Sequence, residues 1–206
     1  TILAGGTDLN LEITQSTREF DHIINISQVQ ELNVINDEKS KLEIGSAVTY
    51  RDASSSLIKY WPELEGFLHR FASLPIKNWA TIGGNIANAS PIGDMPPVLI
   101  ALEAKLKLRK KSTIRSVKLE DFFIGYKKTA LEEGEFIESI TIPKPTSMER
   151  LITHKISKRY EDDISAVCMA MNVCLQDSKP KSVRVAFGGM SGIPQRAEQL
   201  EQVLLD

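Results

Sequence analysis

Two short glycine-containing segments of this chain have the residue types and the spacing that suit binding of a ligand. The first glycine segment is Ile2-Leu3-Ala4-Gly5-Gly6-Thr7-Asp8-Leu9, and the second is Thr81-Ile82-Gly83-Gly84-Asn85. Glycines let the main chain turn where a Cβ would clash, and they let a ligand lie directly on the backbone. Successive backbone amides in such a segment form a concavity that suits phosphate oxygens. Two such segments in one small protein predict a ligand with a diphosphate, and a dinucleotide is the clearest candidate.

The second glycine segment is the more specific of the two. It continues to Asn88, Ser90 and Asp94, which adds more short polar side chains than a plain turn requires. A structural alternative remains open, because Gly-Gly pairs also mark tight turns and Asp94 also fits the N-cap of a buried helix. Neither segment has the third glycine of a Rossmann fingerprint or the lysine of a P-loop. Ordinary nicotinamide binding by a Rossmann fold and nucleotide hydrolysis are therefore disfavoured.

The composition of the chain excludes several classes of protein. The chain has 206 residues, 42% of them hydrophobic and 25% charged, with a net charge of -2, which is ordinary for a globular protein and offers no basic field for nucleic acid. No apolar run approaches the roughly 18 residues of a membrane span, and no secretory signal is visible. The two cysteines, Cys168 and Cys174, are expected to be free thiols, without the spacing of a metal or iron–sulfur site. We expect a cytoplasmic protein that carries no metal of its own.

The elements that must position the glycine segments indicate an α+β protein. Ile2 to Ala4 is predicted to be a strand, and residues 10–13 to be extended. Thr49 is a candidate N-cap for a helix over residues 51–60. A hairpin is expected with its tip at residues 109–112, because apolar residues alternate on either side of it.

Prolines at 143 and 145 mark the boundary between two predicted domains, residues 1–145 and residues 150–206. The second domain is expected to hold three extended stretches in a β-meander, followed by a helix that begins near Pro194. Lys155 and the charged run at residues 159–163 admit two interpretations: side chains facing solvent, or groups beside an anionic ligand.

Several motifs, in order, resemble the flavin domain of the molybdenum hydroxylases, the family that includes xanthine dehydrogenase, aldehyde oxidase and carbon monoxide dehydrogenase. The run Arg159-x-Glu161-Asp162-Asp163-Ile164 is similar to the xanthine dehydrogenase branch in particular. The residues that carry the resemblance are Ala4–Leu9, Ile44–Thr49, Thr81–Asn85, Ala89–Asp94, Phe122–Thr129, Lys155–Ile164 and Gly188–Met190.

The resemblance implies a two-part FAD-binding domain of the vanillyl-alcohol-oxidase (PCMH) type, in which a smaller α/β piece and a larger one built on an antiparallel sheet hold FAD between them. A C-terminal domain of a three-stranded antiparallel sheet plus helices would follow. Against the family pattern, the first strand–helix–strand and the final helices are missing. We therefore expect a truncated C-terminal domain, and a chain that is part of a longer polypeptide.

The resemblance also implies roles for individual residues. The first glycine segment would surround the diphosphate and ribityl region of FAD. The second would add backbone and side-chain hydrogen-bond donors. Phe71 would lie by the flavin, Asp94 would hold a ribose or amide group, and Lys155 would contact the polar edge of the ring. No side chain is expected to be catalytic, because the flavin carries the chemistry. The implied cofactor-binding residues are Ile2, Leu3, Ala4, Gly5, Gly6, Thr7, Asp8, Leu9, Phe71, Thr81, Gly83, Gly84, Asn85, Ser90, Asp94, Ile137 and Lys155.

The implied function is the FAD-binding component of a xanthine dehydrogenase-like enzyme. Electrons from a hydroxylated purine would pass from molybdopterin through 2Fe-2S clusters to FAD, and then as hydride to NAD. The molybdenum and iron–sulfur groups would lie on other segments or subunits, so a hetero-oligomer is expected. Two alternatives stay open: the flavin subunit of a hydroxylase for carbon monoxide, nicotinate or an aromatic thioester, and a flavin-free docking module.

Overall fold

A computed structural model describes residues 1–177 and 179–206 and shows a mixed α/β protein. A short 3₁₀ helix lies at Gln30–Leu32. The α-helices are α1 (Leu9–Thr14), α2 (Tyr50–Tyr60), α3 (Leu64–Arg70), α4 (Leu74–Lys77), α5 (Ile82–Ala87), α6 (Met95–Ala101), α7 (Leu119–Phe122) and α8 (Glu198–Leu205). The strands are β1 (Ile2–Leu3), β2 (Ile24–Asn25), β3 (Ile35–Asp37), β4 (Lys41–Gly45), β5 (Lys105–Lys110), β6 (Thr113–Lys118), β7 (Phe123–Gly125), β8 (Lys128–Thr129), β9 (Phe136–Pro143), β10 (Glu149–Ile156), β11 (Val167–Gln176), β12 (Lys179–Gly188) and β13 (Gln195–Arg196).

The N-terminal part is a small β1–α1–β2 unit in which the two strands pair in parallel. The expectation of an extended chain at residues 10–13 is wrong, since these residues lie in α1. The backbone amide of Asn10 bonds the carbonyl of Gly6 and that of Leu11 bonds Asp8, which begins the helix. Apolar residues alternate with polar ones here, and that alternation is typical of a strand. These residues form a helix because β1 and β2 are parallel, and parallel neighbouring strands need a crossover connection, which is usually a helix.

The larger part is built on an antiparallel sheet with the strand order β3-β4-β9-β5-β6. Apolar side chains at alternate positions of its inner strands are fully buried, as expected of a sheet with one covered face. The predicted hairpin is confirmed, with β5 pairing β6 from Lys105↔Lys118 to Lys110↔Thr113. Thr49 caps α2 as predicted, because its side chain accepts a hydrogen bond from the amide of Asp52.

Helix α6 joins the larger part to the C-terminal sheet. All seven of its residues are buried, since it packs against β11 and β12 on one side and against α5 and α7 on another. Leu151, Cys168 and Ala170 of the C-terminal sheet belong to the same hydrophobic core as the five-stranded sheet. This shared core holds the C-terminal sheet beside the rest of the protein, and a smaller separate cluster lies within that sheet at Val173, Val183 and Val185.

The predicted three-stranded antiparallel sheet is confirmed as β10-β11-β12, with the two-residue β13 added at its edge. The helix expected near Pro194 begins later, at Glu198, because Gln195 and Arg196 pair with β12 first. Within the described ranges, none of the helices has the length and apolar character that crossing a membrane requires.

Candidate functional site

A cleft separates the N-terminal unit from the larger part and holds two adjoining cavities of about 520 Å³ and about 500 Å³. Each is of the size usual for ligand pockets. They share five lining residues, so they form one continuous cleft. The shared residues are Asp8, Phe71, Ile76, Asn85 and Asn88.

The cleft brings together most of the residues that the sequence pointed to. Both glycine segments line the first cavity, together with Phe71 and Ile137. Ser90 and Asp94 line the second cavity. Lys155 lines neither cavity and lies buried behind Asp94.

The first glycine segment lies directly on the chain that precedes the second one. A Cβ at Gly5 would stand 1.7 Å from the carbonyl oxygen of Trp79 and 3.2 Å from the Cα of Ala80. Only glycine permits that approach, and it places Gly5 beside the residue that leads into Thr81. Gly6 has a φ of +73°, a conformation that L side chains rarely adopt. This backbone contact explains how two segments that residues 10–80 separate in sequence come to face one cavity.

The second glycine segment forms the start of a helix, α5, rather than a plain turn. Thr81 is the N-cap of α5, and its hydroxyl accepts a hydrogen bond from the amide of Gly84 at 3.0 Å. A Cβ at Gly83 would lie 2.5 Å from the Cβ of Ser46. Gly83 thus lets α5 pack closely on the end of β4, whereas a Cβ at Gly84 would meet only the Thr81 hydroxyl.

Tyr50 is a residue of the first cavity that the sequence prediction missed. It is fully buried, and its hydroxyl donates to Asn85 Oδ1 at 3.0 Å. Its ring lies 4.4 Å from that of Phe71, centroid to centroid. Burial is the main cause that raises the pKa of the Tyr50 phenol well above its usual value, so the phenol is neutral. The sequence around Tyr50 carried no signal for this role, because its partner Asn85 lies 35 residues away in the chain.

Asp94 is the centre of a buried polar cluster below the second cavity. Its Oδ2 accepts from Lys155 Nζ at 2.6 Å, its Oδ1 accepts from the Ser165 hydroxyl, and its carbonyl accepts from the Cys168 thiol at 3.3 Å. Asp94 precedes α6 as expected of an N-cap, but its side chain makes no capping bond. The carboxylate is instead paired with Lys155, whose side chain is only 2% exposed.

The Cys168 thiol is unreactive in this cluster. Burial first, and the Asp94 carboxylate second, raise the pKa of the thiol to about 12, although Lys155 acts in the opposite direction. The thiol is therefore protonated at neutral pH and is a poor nucleophile.

A loop over residues 157–164 forms one wall of the second cavity through Asp162, Asp163 and Ile164. Arg70 at the end of α3 holds this loop. Its guanidinium donates to the Lys155 carbonyl at 2.7 Å, the Ser157 hydroxyl at 3.1 Å and the Tyr160 carbonyl at 3.1 Å. The same guanidinium lies 4.7 Å from the centre of the Tyr160 ring.

Replacing Arg70 with alanine is expected to free the 157–164 loop while leaving the fold intact. The substitution removes three hydrogen bonds and a cation–π contact, each worth about 1 kcal/mol. Amide hydrogen exchange should become at least roughly 10-fold faster in the loop, because 1.4 kcal/mol corresponds to a tenfold change in an opening equilibrium. Unchanged exchange in the loop would contradict this account, and exchange in the five-stranded sheet serves as the internal control.

Arg115 and Glu135 form a bidentate ion pair that orders the first cavity's edge. Arg115 Nε and Nη2 each lie 2.7 Å from a Glu135 oxygen, and Nη2 also bonds the Ala130 carbonyl at 2.6 Å. The hydrogen bond from Arg115 is the main cause that lowers the pKa of Glu135 to about 2.

Glu135→Gln is expected to lower stability at neutral pH but not in strong acid. A carboxyl whose pKa is lower in the folded than in the unfolded state stabilises the protein above its unfolded pKa of 4.5. That stabilisation is lost as the pH falls from about 4.5 towards about 2. Urea unfolding of the wild type and of Glu135→Gln across this pH range should show that the difference between their free energies of unfolding disappears as the pH falls. A difference that stays constant with pH would contradict the assignment.

The lining of the cleft determines what kind of anion site it offers. Among the residues that the structure describes, neither cavity is lined by a lysine or an arginine. Hydrogen-bond donors come instead from main-chain amides, hydroxyls and the amides of Asn85 and Asn88. Burial is the main cause that raises the pKa of Asp8, which lies at the junction of the two cavities. Such a lining fits a dinucleotide whose diphosphate is bound by neutral donors and whose rings pack on apolar and aromatic side chains.

Comparison with known proteins shows to which family this chain belongs. The family described as "FAD binding domain in molybdopterin dehydrogenase" matches residues 1–145, and that described as "CO dehydrogenase flavoprotein C-terminal domain" matches residues 152–206. Xanthine dehydrogenase 1 of Arabidopsis thaliana is 30% identical over an alignment of 220 positions that covers 99% of this chain and 16% of that protein. The glyceraldehyde dehydrogenase medium chain of Sulfolobus acidocaldarius is 31% identical, with 97% of this chain and 71% of that protein covered.

Solved structures agree with this assignment. A carbon monoxide dehydrogenase chain from Hydrogenophaga pseudoflava superposes with a TM-score of 0.94 at 28% identity, covering all of this chain and 72% of that one. A chain of the reconstituted CO dehydrogenase from Oligotropha carboxidovorans gives 0.92 at 26% identity, covering 99% of this chain and 72% of that one. The family resemblance and the fold class expected from the motifs are confirmed. The chain belongs to the family of FAD-binding domains of the molybdopterin dehydrogenases, whose other members include parts of xanthine dehydrogenases and carbon monoxide dehydrogenases.

Proposed function

We propose that this chain binds FAD in the cleft and serves as the flavin component of a xanthine dehydrogenase-like molybdenum hydroxylase. The observation that carries the proposal is the convergence of both glycine segments on one cavity. Partners with iron–sulfur clusters and molybdopterin would supply electrons, and NAD would accept hydride. The free thiols Cys168 and Cys174 suit a reducing compartment, which favours the cytoplasm.

The residues of the first cavity would hold the diphosphate and its neighbouring groups. Main-chain amides of the first glycine segment and the amide and hydroxyl groups around Thr81 and Asn85 are the donors. Tyr50 would keep Asn85 in a fixed orientation through its hydrogen bond. Phe71, which borders both cavities, would present an apolar face to a flat ring system.

The residues of the second cavity would position the polar edge of the flavin. Asp94 is held rigidly by Lys155 and Ser165, so it would offer a fixed acceptor for a hydroxyl or an amide group. Lys155 would act through Asp94 and add positive charge behind it. When bound, FAD supplies the two-electron chemistry, and the protein contributes position and electrostatic environment.

An FAD titration tests this proposal. The purified chain should quench flavin fluorescence with one binding site and should gain thermal stability with rising FAD concentration. For the acceptor, NAD added without oxygen to the chemically reduced flavoprotein should restore the oxidised flavin spectrum and form NADH. A chain that never retains FAD would refute the proposal in favour of a docking module, and retained FAD without NADH formation would refute only the role of NAD.

A second candidate is the separate flavin subunit of another hydroxylase. The observation that favours it is structural similarity, since a carbon monoxide dehydrogenase chain superposes on this chain with a TM-score of 0.94. Substrate-dependent flavin reduction by the complete enzyme distinguishes the two, with xanthine, carbon monoxide and nicotinate as the substrates compared.

A further inference from the structure

Ser46, the residue that follows β4, is a buried serine whose hydroxyl has no partner among the described residues. The residue is 3% exposed, and its Oγ makes no hydrogen bond to any of the described residues. Only two other buried side-chain atoms in the described ranges share that state, Trp61 Nε1 and Arg184 Nε. Of these three residues, Ser46 alone lines the first cavity.

An unpartnered buried hydroxyl is costly. Burying one without a hydrogen bond costs about 1–3 kcal/mol, and most such groups in proteins are satisfied by protein, water or ligand. An alanine would fill the same place without that cost. A serine here therefore needs a partner that the protein chain does not supply.

The surroundings of Ser46 indicate which part of a ligand would be that partner. Gly83 packs directly on Ser46, since a Cβ there would lie 2.5 Å from the Ser46 Cβ and 2.5 Å from its carbonyl oxygen. Ser46 therefore lies beside the first turn of α5 and within the cavity that both glycine segments line. It is absent from the lining of the second cavity, where Asp94 and the 157–164 loop lie.

We infer that the Ser46 hydroxyl is a further ligand of the dinucleotide and bonds its diphosphate–ribose part. This inference rests on the proposed binding of FAD. Ser46 lines the first cavity, and rotation about its single side-chain torsion turns the hydroxyl among staggered positions without movement of the main chain. A hydroxyl can donate to a phosphate oxygen or exchange hydrogen bonds with a ribose hydroxyl, so it adds affinity without adding charge.

The test compares Ser46→Ala with Ser139→Ala in the full chain. Ser139 is a matched control, because it is also a buried serine, but its hydroxyl donates to Glu43 Oε1 at 2.5 Å and it lines neither cavity. FAD and ADP are the probes, measured by fluorescence titration and by competition. Thermal unfolding is measured for each protein without ligand.

Ser46→Ala is expected to weaken binding of both FAD and ADP by roughly 5- to 10-fold, the loss of one hydrogen bond, with no loss of stability in the absence of ligand. Ser139→Ala should do the reverse, lowering stability while leaving both affinities unchanged. Equal FAD affinity of Ser46→Ala and wild type would overturn the inference, as would a loss of unliganded stability matching that of Ser139→Ala. Weaker FAD binding with unchanged ADP binding would overturn the assignment to the diphosphate–ribose part. Failure of the wild-type chain to bind FAD would refute the proposed function and this inference together.

Discussion

Gly5→Ala is expected to lower FAD affinity by roughly 10- to 100-fold. The added Cβ would stand 1.7 Å from the Trp79 carbonyl oxygen and 2.5 Å from its carbonyl carbon. Because both are backbone atoms, the first glycine segment must move away from Trp79 and Ala80. Overpacking of this kind costs about 1–3 kcal/mol, and 1.4 kcal/mol corresponds to a tenfold change in affinity. Fluorescence titration with FAD measures the effect.

Gly66→Ala is the control for this substitution. Gly66 lies on the exposed face of α3, and a Cβ there would have nothing within 4 Å. This variant should bind FAD as the wild type does and should gain about 0.5–1 kcal/mol of stability, since alanine is the better helix former. If Gly5→Ala bound FAD as tightly as Gly66→Ala, the first glycine segment would not be a wall of the cofactor site.

Lys155→Met is expected to destabilise the protein by about 3–5 kcal/mol, the usual result of leaving one partner of a buried ion pair without its counter-charge. Lys155 is 2% exposed and Asp94 9% exposed at the side chain, with 2.6 Å between Nζ and Oδ2. After the substitution, the Asp94 carboxylate would keep the Ser165 hydroxyl but no cation. Urea unfolding of the FAD-free protein measures the loss, and FAD retention should fall as Asp94 loses its fixed position.

Two further variants make the Lys155 experiment decisive. The double variant Asp94→Asn/Lys155→Met should be less destabilised than the sum of the two single variants, because it leaves no uncompensated charge. Lys59→Met is the matched control, since Lys59 pairs with Asp37 at the surface with 60% of its side chain exposed, and it should change stability little. If Lys155→Met lowered stability as little as Lys59→Met does, the result would show that water solvates the Asp94–Lys155 pair.

The motifs predicted the family and the general location of the site because glycine and small polar residues are informative at short range. A Gly-Gly pair beside short donors and acceptors indicates close approach of a ligand, and that indication needs no knowledge of the fold. The order of the motifs then indicated the family, and the comparisons confirm it. The roles of individual residues towards FAD stay predictions.

Local pattern misled where tertiary contacts determine the outcome. Residues 10–13 alternate like a strand but form α1, because β1 and β2 pair in parallel and need a connection across the sheet. The second glycine segment forms the start of α5, because Thr81 caps it and Gly83 fits against Ser46. The pairing of β1 with β2 and the contact of Gly83 with Ser46 join residues that are far apart in sequence.

The sequence alone thus predicted a site for a diphosphate and indicated the family, because both depend on residues that are close together in the chain. Only the tertiary structure could show that Gly5 lies on Trp79, that Asp94 is paired with Lys155 and that the Ser46 hydroxyl has no partner in the described chain. Each of these depends on atoms tens of residues apart that the packed core brings together. Burial then determines their energetics, because a charge or a hydroxyl removed from water is costly unless it forms a new ion pair or hydrogen bond.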